Sequence, residues 1–484
     1  MKKPHFFGDK KQYIYIKKYK MYIFVEKKRR YDMILPRGMH MDFILLNANI
    51  YGFKCINKPV DIQFTNKNID NSVFSNPYVK AIYGTNGTGK STIIQTLNFY
   101  TQSILDDDYI RVSNSNLEIS RLINQKTQKG RVSIYFTVKG SSKPDIFHHL
   151  IEYSMDGKKG YISKEELSYC NGQTWGDANN ETTLFEVKQG NIIFLSDELK
   201  EDKKYQIVSR SNNLLTNQSL IKLAFYTLFN QDGTIERNAL NRFERGVLGV
   251  VSLLMRFSFF VDEKDTHRIT WNAMARMIET GASKELTFDD FRYGFVVDNE
   301  IDEVSVMEFD KYCQLIKKEE KFIKIFKPEL KRIEVDKDPK GKDIYVCSKI
   351  FVYSDGTKVT SEYESNGIKK LMKLFNCLNN ASMGGISFID EFDSNIHDVY
   401  LCKLIEYFVH YTKGQLVFTT HNLGPMQVLG ESKIKHSIDF INKSVISSWK
   451  KNGNYSVVNV YRSGSIPNCP FNIDSADFIR AFGD

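Results

Sequence analysis

Gly84-Thr85-Asn86-Gly87-Thr88-Gly89-Lys90-Ser91 is the stretch on which the fold turns. It satisfies GxxxxGK[ST] at every required position. Its glycines let backbone N–H groups close around a phosphate at the positive end of a following helix. The flanks supply that setting. Val79-Lys80-Ala81-Ile82-Tyr83 reads as a strand, and Ile93, Ile94, Leu97, Tyr100 and Ile104 recur at helical spacing. In this reading Lys90 reaches the β- and γ-phosphates of ATP, and Ser91 holds Mg²⁺.

A phosphate cradle needs a second carboxylate on the metal and a group that activates water. Ile386-Ser387-Phe388-Ile389 reads as a buried strand ending in Asp390-Glu391. Asp390 is the expected Mg²⁺ ligand, through water, and Glu391 the expected general base. Twenty-five residues on, Gln415 to Thr420 forms another strand that ends at His421-Asn422. A histidine there can contact the γ-phosphate and sense its loss. Lys90, Glu391 and His421 are therefore the candidate catalytic residues. Upstream, Glu364-Ser365-Asn366-Gly367-Ile368-Lys369-Lys370 opens a helix. Ser365 serves as its N-cap, or the loop presents a helix N-terminus to a phosphate held by a second subunit.

Outward from these motifs, residues 42–83 read as strands and turns, and about 131–195 as short strands with turn signals at Asp156-Gly157 and Asn171-Gly172. From Asn213 to about Met277 the period is helical, and Met307 to Phe326 is a further helix. The apolar run Gly246 to Phe260 is read as a buried helix. Arg256 cuts it, and it is too short to span a bilayer. Strands return at Leu330 to Val335 and Ile344 to Tyr353, after which helix and strand alternate to about Tyr461.

The formal charge of +9 is confined to one end. Residues 1–38 carry twelve basic and three acidic side chains, 12 − 3 = +9, so the rest of the chain is neutral overall. The body thus makes no global electrostatic case for nucleic acid. The segment reads as an over-extended start or a disordered arm, or else as a basic arm with interleaved tyrosines that touches nucleic acid. Seven scattered cysteines without a CxxC fit neither a disulfide framework nor a zinc site and suit a reducing cytoplasm.

Together these motifs resemble the ABC-type ATPase heads of the SMC and Rad50 kind. They are more closely similar to the AAA15 ATPases of bacterial anti-phage and abortive-infection systems, such as AbiLi and the ATPase component of PARIS. The resemblance is carried by Tyr83 to Thr92, Glu364 to Lys370, Asp390 to His397 and Phe418 to Asn422, with Asn47 to Phe53 as the opening strand and Val132 to Leu167 as the second sheet. It implies an α/β ABC-type ATPase head with a P-loop sheet core, an antiparallel β subdomain and a helical insertion. The expected layout is a basic tail (1–40), an N-terminal half (41–200), the insertion (201–328) and a C-terminal half (329–484).

The resemblance extends the nucleotide-contacting set from Gly84, Thr85, Asn86, Gly87, Thr88, Gly89, Lys90 and Ser91 to Thr92. It implies that Ser365, Asn366 and Gly367 act across a homodimer, or a larger homo-oligomer, on ATP held by the other copy. Asp393-Ser394-Asn395 would link the two sites. The signature departs from LSGGQ, with Asn366 and Ile368 where a Gly and the Gln would stand, and Gln189, Gln125 and Gln128 compete for the Q-loop role. The function implied is a cytoplasmic defence ATPase, Mg²⁺-dependent, that answers a phage-encoded trigger and controls a separate effector, a nuclease or toxin. The alternative is an SMC- or Rad50-like ATPase acting on DNA, for which the middle segment is too short to supply long heptad arms. A membrane-transporter subunit fits the divergent signature and large insertion poorly.

Overall fold

The computed structural model describes residues 42–139, 143–229, 240–261, 302–394, 396–432, 434–442, 445–450 and 455–466. The basic segment 1–40 and Asn395 lie outside the described residues.

The chain enters through β1 (Phe43–Tyr51) and β2 (Val60–Gln63), reaches β3 (Tyr78–Tyr83) and passes through the glycine-rich loop into α1 (Lys90–Leu105). Two short helices, α2 (Tyr109–Ser115) and α3 (Glu118–Leu122), lead into the long strands β4 (Lys129–Val138), β5 (Asp145–Asp156) and β6 (Lys159–Cys170), then β7 (Glu181–Lys188) and β8 (Asn191–Leu195). These pair antiparallel in the order β2-β1-β4-β5-β6-β7-β8. Strict alternation builds this sheet: along β4, Val132, Ile134 and Phe136 point to one buried face and Arg131, Ser133 and Tyr135 to the other. Gly157 takes a positive φ of 57° in the tight β5–β6 turn.

Next come α4 (Glu201–Ser211), α5 (Leu220–Phe229), α6 (Arg242–Leu254) and β9 (Phe257–Phe260). Here the sequence reading needs correction. The apolar run Gly246 to Phe260 is not one helix: α6 stops at Leu254, and Phe257–Phe260 is a strand paired parallel with the acidic strand. Phenylalanines that stack on Phe388 of that strand, Phe259 face-on at 5.1 Å, favour the sheet edge over another helical turn. Within the expected insertion, α5, α6 and Phe257 share one core with α1 and the antiparallel sheet.

The remainder comprises β10 (Asp302–Ser305), α7 (Phe309–Phe326), β11 (Leu330–Lys340), β12 (Ile344–Tyr353), β13 (Lys358–Thr360), α8 (Asn366–Ser382), β14 (Ile386–Ile389), α9 (Asp398–Tyr411), β15 (Gln415–Thr419), α10 (Leu423–Glu431), β16 (Ile438–Asn442), β17 (Val445–Ser448) and α11 (Val457–Arg462). Strands β10 to β13 form a small antiparallel sheet against α7. The central sheet is six-stranded, β17-β16-β3-β15-β14-β9, with every pairing parallel except β16–β17.

Being covered on both faces, its strands are near-continuous apolar runs. Ile82, Phe388 and Val417 face the core shared with α1, while Val79, Ala81, Tyr83, Ile389 and Phe418 face α7 to α11. Gln415 pins the two sheets together. Its amide accepts from the Leu45 N–H at 2.7 Å and donates to the Leu45 carbonyl at 2.9 Å.

One ion pair lies inside the central sheet: Lys80 on β3 meets Asp439 on β16 at 2.6 Å, both fully buried, and Ser448 donates to the other carboxylate oxygen. Burial pushes the Lys80 ammonium below its ordinary range, and Asp439 opposes that shift. Asp439→Ala leaves an unpaired buried ammonium and should cost about 3–5 kcal/mol of unfolding free energy. A Lys80→Met, Asp439→Leu double variant should regain most of it. Urea titration of the three proteins checks this, and an Asp439→Ala curve superimposable on wild type would refute it.

Candidate active site

Parallel strands bring their C-terminal ends to one edge, and the chemistry collects there. β3 delivers the glycine-rich loop, β14 delivers Asp390 and Glu391, and β15, lying between them, delivers His421. A sheet whose neighbouring strands all point one way thus turns distant sequence motifs into neighbours.

The loop's glycines are structurally required. A Cβ on Gly84 would sit 2.4 Å from the Ile441 carbonyl, and Gly89 holds a φ of 112° as it hands over to α1. No side chain caps α1, whose first-turn N–H groups face the loop, so the helix start keeps donors for an anion. Lys90 is buried and folds back so that its Nζ donates to the carbonyls of Gly84 at 2.8 Å and Thr85 at 3.1 Å. Thr88 Oγ1 also donates to the Thr85 carbonyl, at 2.8 Å. A buried ammonium that donates to loop carbonyls, beside an uncapped helix start, is a donor set that fits a polyphosphate. Ser91 and Thr92 occupy the first turn of α1, with Thr92 buried against Cys55.

Across β15, Asp390 is buried, and its N–H donates to the Phe260 carbonyl of β9 at 2.8 Å. Glu391 is exposed and has a φ of 46°. A non-glycine residue in the left-handed region costs of order 1–3 kcal/mol and persists where its surroundings impose it. The His421 N–H donates to Asp393 Oδ2 at 3.3 Å, tying the switch strand to the loop after the acids. Partial burial, then the nearby Lys90 ammonium, lower the His421 pKa from its usual 6.5, against the pull of Asp393, Glu391 and Asp390. Both effects favour the neutral imidazole. Tyr83 Oη donates to the Asn422 carbonyl at 3.0 Å, and the Asn422 side chain caps α10 by accepting from the Gly424 N–H.

Ser365, Asn366 and Gly367 are consecutive at one helix start that follows β13. They open α8, where Ser365 Oγ accepts from the Ile368 N–H at 3.4 Å, and the Glu364 carboxylate accepts from Tyr353 Oη and from the Ser365 N–H. Lys370, Leu371 and Leu374 line a small cavity with Glu391, Phe392 and Ser394. Gln189 sits in the β7–β8 turn, and Gln125 and Gln128 in the turn before β4. None of the three is on the central sheet. The reading of the sequence missed Thr419, whose hydroxyl joins the two acidic positions.

The fold and the site define a P-loop ATPase head of α/β class. The chain belongs to the AAA-domain family described as a putative AbiEii toxin of type IV toxin–antitoxin systems, whose model matches residues 80–424. Among curated proteins none matches. Solved structures similar to the chain include an SMC head bound to the C-winged helix domain of ScpA, at 11% identity, covering 85% of this chain and 98% of that one with a TM-score of 0.41. An SMC head with an extended coiled coil, bound to the C-terminal domain of ScpA derived from Pyrococcus furiosus, is 13% identical, covering 84% and 96% with a TM-score of 0.37. The SMC head domain from Thermotoga maritima is 11% identical, covering 84% and 99% with a TM-score of 0.28. At these scores nothing about activity or partners follows from the likeness. None of the described helices is long and apolar enough to cross a membrane.

Proposed function

We propose that this chain hydrolyses ATP with Mg²⁺ at sites shared between two copies, and that the cycle regulates a separate nuclease or toxin in bacterial anti-phage defence. The observation that carries the ATP reading is the meeting of Lys90, Asp390, Glu391 and His421 at one edge of the central sheet. Gly84 to Thr92 wrap the phosphates, and Lys90 exchanges its loop carbonyls for phosphate oxygens. Ser91 and, through water, Asp390 would hold Mg²⁺, which would supply positive charge against the phosphates. Glu391 takes the proton of the attacking water. Neutral His421 contacts the γ-phosphate and registers its loss.

In this reading Ser365, Asn366 and Gly367, at the capped start of α8, complete the partner copy's site. Two heads therefore close on two nucleotides, and hydrolysis opens them. The defence reading is supported by the family's own description, which speaks of a toxin and of type IV toxin–antitoxin systems.

The test is phosphate release by the purified chain with ATP and Mg²⁺, alongside phage plating on cells carrying the gene with its neighbours. Turnover lost in Lys90→Ala, together with loss of plating protection, supports both halves. Turnover without any effect on plating overturns the defence half alone.

A pH dependence follows from His421. Its folded pKa lies below 6.5, so its contribution to stability is complete above 6.5 and is lost as pH falls through the folded value. The acid limb of kcat/KM due to His421, which reports the free protein, should likewise lie below pH 6.5 and vanish in His421→Gln. A kcat/KM profile over about pH 5 to 8 reads this out. A His421-dependent limb centred above 6.5 contradicts it.

A further inference from the structure

The loop that carries the general base is held by one hydroxyl. Thr419 is the last residue of β15 and is fully buried. Its Oγ1 accepts from the Glu391 backbone N–H at 2.8 Å. The same oxygen donates its own proton to Asp390 Oδ1 in a short hydrogen bond. Its carbonyl accepts from the Phe392 N–H at 3.0 Å. Three consecutive residues, the metal-binding acid, the base and the residue after it, are thus fastened to a single threonine on the neighbouring strand.

The bonding pattern fixes direction as well as position. An oxygen that accepts from one N–H has its single proton left for the carboxylate. One oxygen of Asp390 is thereby engaged, which fixes the rotation of its carboxylate. The N–H of Glu391 is tied at the point where the backbone enters the left-handed region, at a φ of 46°. Released from Thr419, that residue has every reason to relax to a right-handed or extended conformation, and its carboxylate would swing with it.

We infer that Thr419 is a positioning residue for hydrolysis: it holds the Glu391 carboxylate where water is activated and sets the orientation of Asp390. The inference rests on the reading of Glu391 as the general base. It also gives the switch strand a direct lever on that base, because two residues beyond Thr419 the His421 N–H is bonded to Asp393. A shift of β15 on loss of the γ-phosphate would move the base and the loop after it together.

Thr419→Val keeps the shape and removes both bonds. It should lower kcat roughly 10- to 100-fold, the size expected for bonds to a charged group, with KM for ATP within about twofold, since the glycine-rich loop is untouched. Thr419→Ser keeps the hydroxyl and should return most of kcat. Thr419→Ala, which lacks the hydroxyl and cannot clash, carries the same expectation if the valine variant does not fold. Added to Glu391→Gln, Thr419→Val should cost less than it does in the wild type, because the part of its effect that runs through the Glu391 carboxylate is already lost and only the part through Asp390 remains.

Should Glu391→Gln be impaired while Thr419→Val and Thr419→Ala turn over at wild-type kcat, Thr419 has no such role and the base reading stands. A loss confined to KM also overturns the inference. Wild-type kcat in Glu391→Gln overturns the base reading, and this inference with it.

Discussion

Purified Glu391→Gln is expected to bind ATP about as tightly as wild type and to turn it over roughly 10²- to 10⁴-fold more slowly, the range for losing a general base. The split follows from where the side chain stands. Glu391 is exposed beyond the end of β14, while the glycine-rich loop and α1, which hold the phosphates, belong to β3 two strands away. The substitution keeps size and hydrogen-bonding capacity, so the left-handed backbone and its bond to Thr419 remain. Only the capacity to take a proton is lost. Single-turnover phosphate release beside equilibrium nucleotide binding measures the two quantities separately. Equal loss in both would mean that Glu391 binds nucleotide instead of activating water.

Lys90→Ala should fail earlier, at binding. The ammonium is buried and donates to the Gly84 and Thr85 carbonyls, at the centre of the glycine-rich loop. Removing a buried, hydrogen-bonded charge from a charged ligand costs about 2–5 kcal/mol, or roughly 30- to several-thousand-fold in Kd. Thermal unfolding gives a direct readout. ATP–Mg²⁺ should raise the wild-type midpoint in proportion to its occupancy and leave Lys90→Ala unshifted at the same concentration. An equal ATP-induced shift in both proteins would remove Lys90 from the site.

Much of the central sheet was legible in the sequence because each of its motifs is local. A buried strand followed by glycines and a helix, a strand followed by two acids, and a strand followed by histidine each show their strand and its tail within ten residues. The antiparallel strands declared themselves by alternation, as in Val132, Ile134 and Phe136.

Other features were hidden for physical reasons. The strand Phe257–Phe260 follows α6 with only Met255 and Arg256 between, so its apolar run merges with the helix, and only its pairing with β14 reveals it. Thr419 looks like any β-branched strand residue; the direction of its hydroxyl depends on a neighbouring strand 29 positions away. In the shared-site proposal the place of Ser365 to Gly367 depends on a second copy, which no single chain's pattern encodes.

The central claim is that two copies close on ATP. Light scattering on Glu391→Gln with and without ATP–Mg²⁺ tests it most directly, because that variant should hold the closed state without consuming it. The account predicts a mass near that of the 56.1 kDa chain without nucleotide and an ATP-dependent rise to at least twice that value, absent in Lys90→Ala. A mass that ignores ATP, and is the same in both variants, would contradict it.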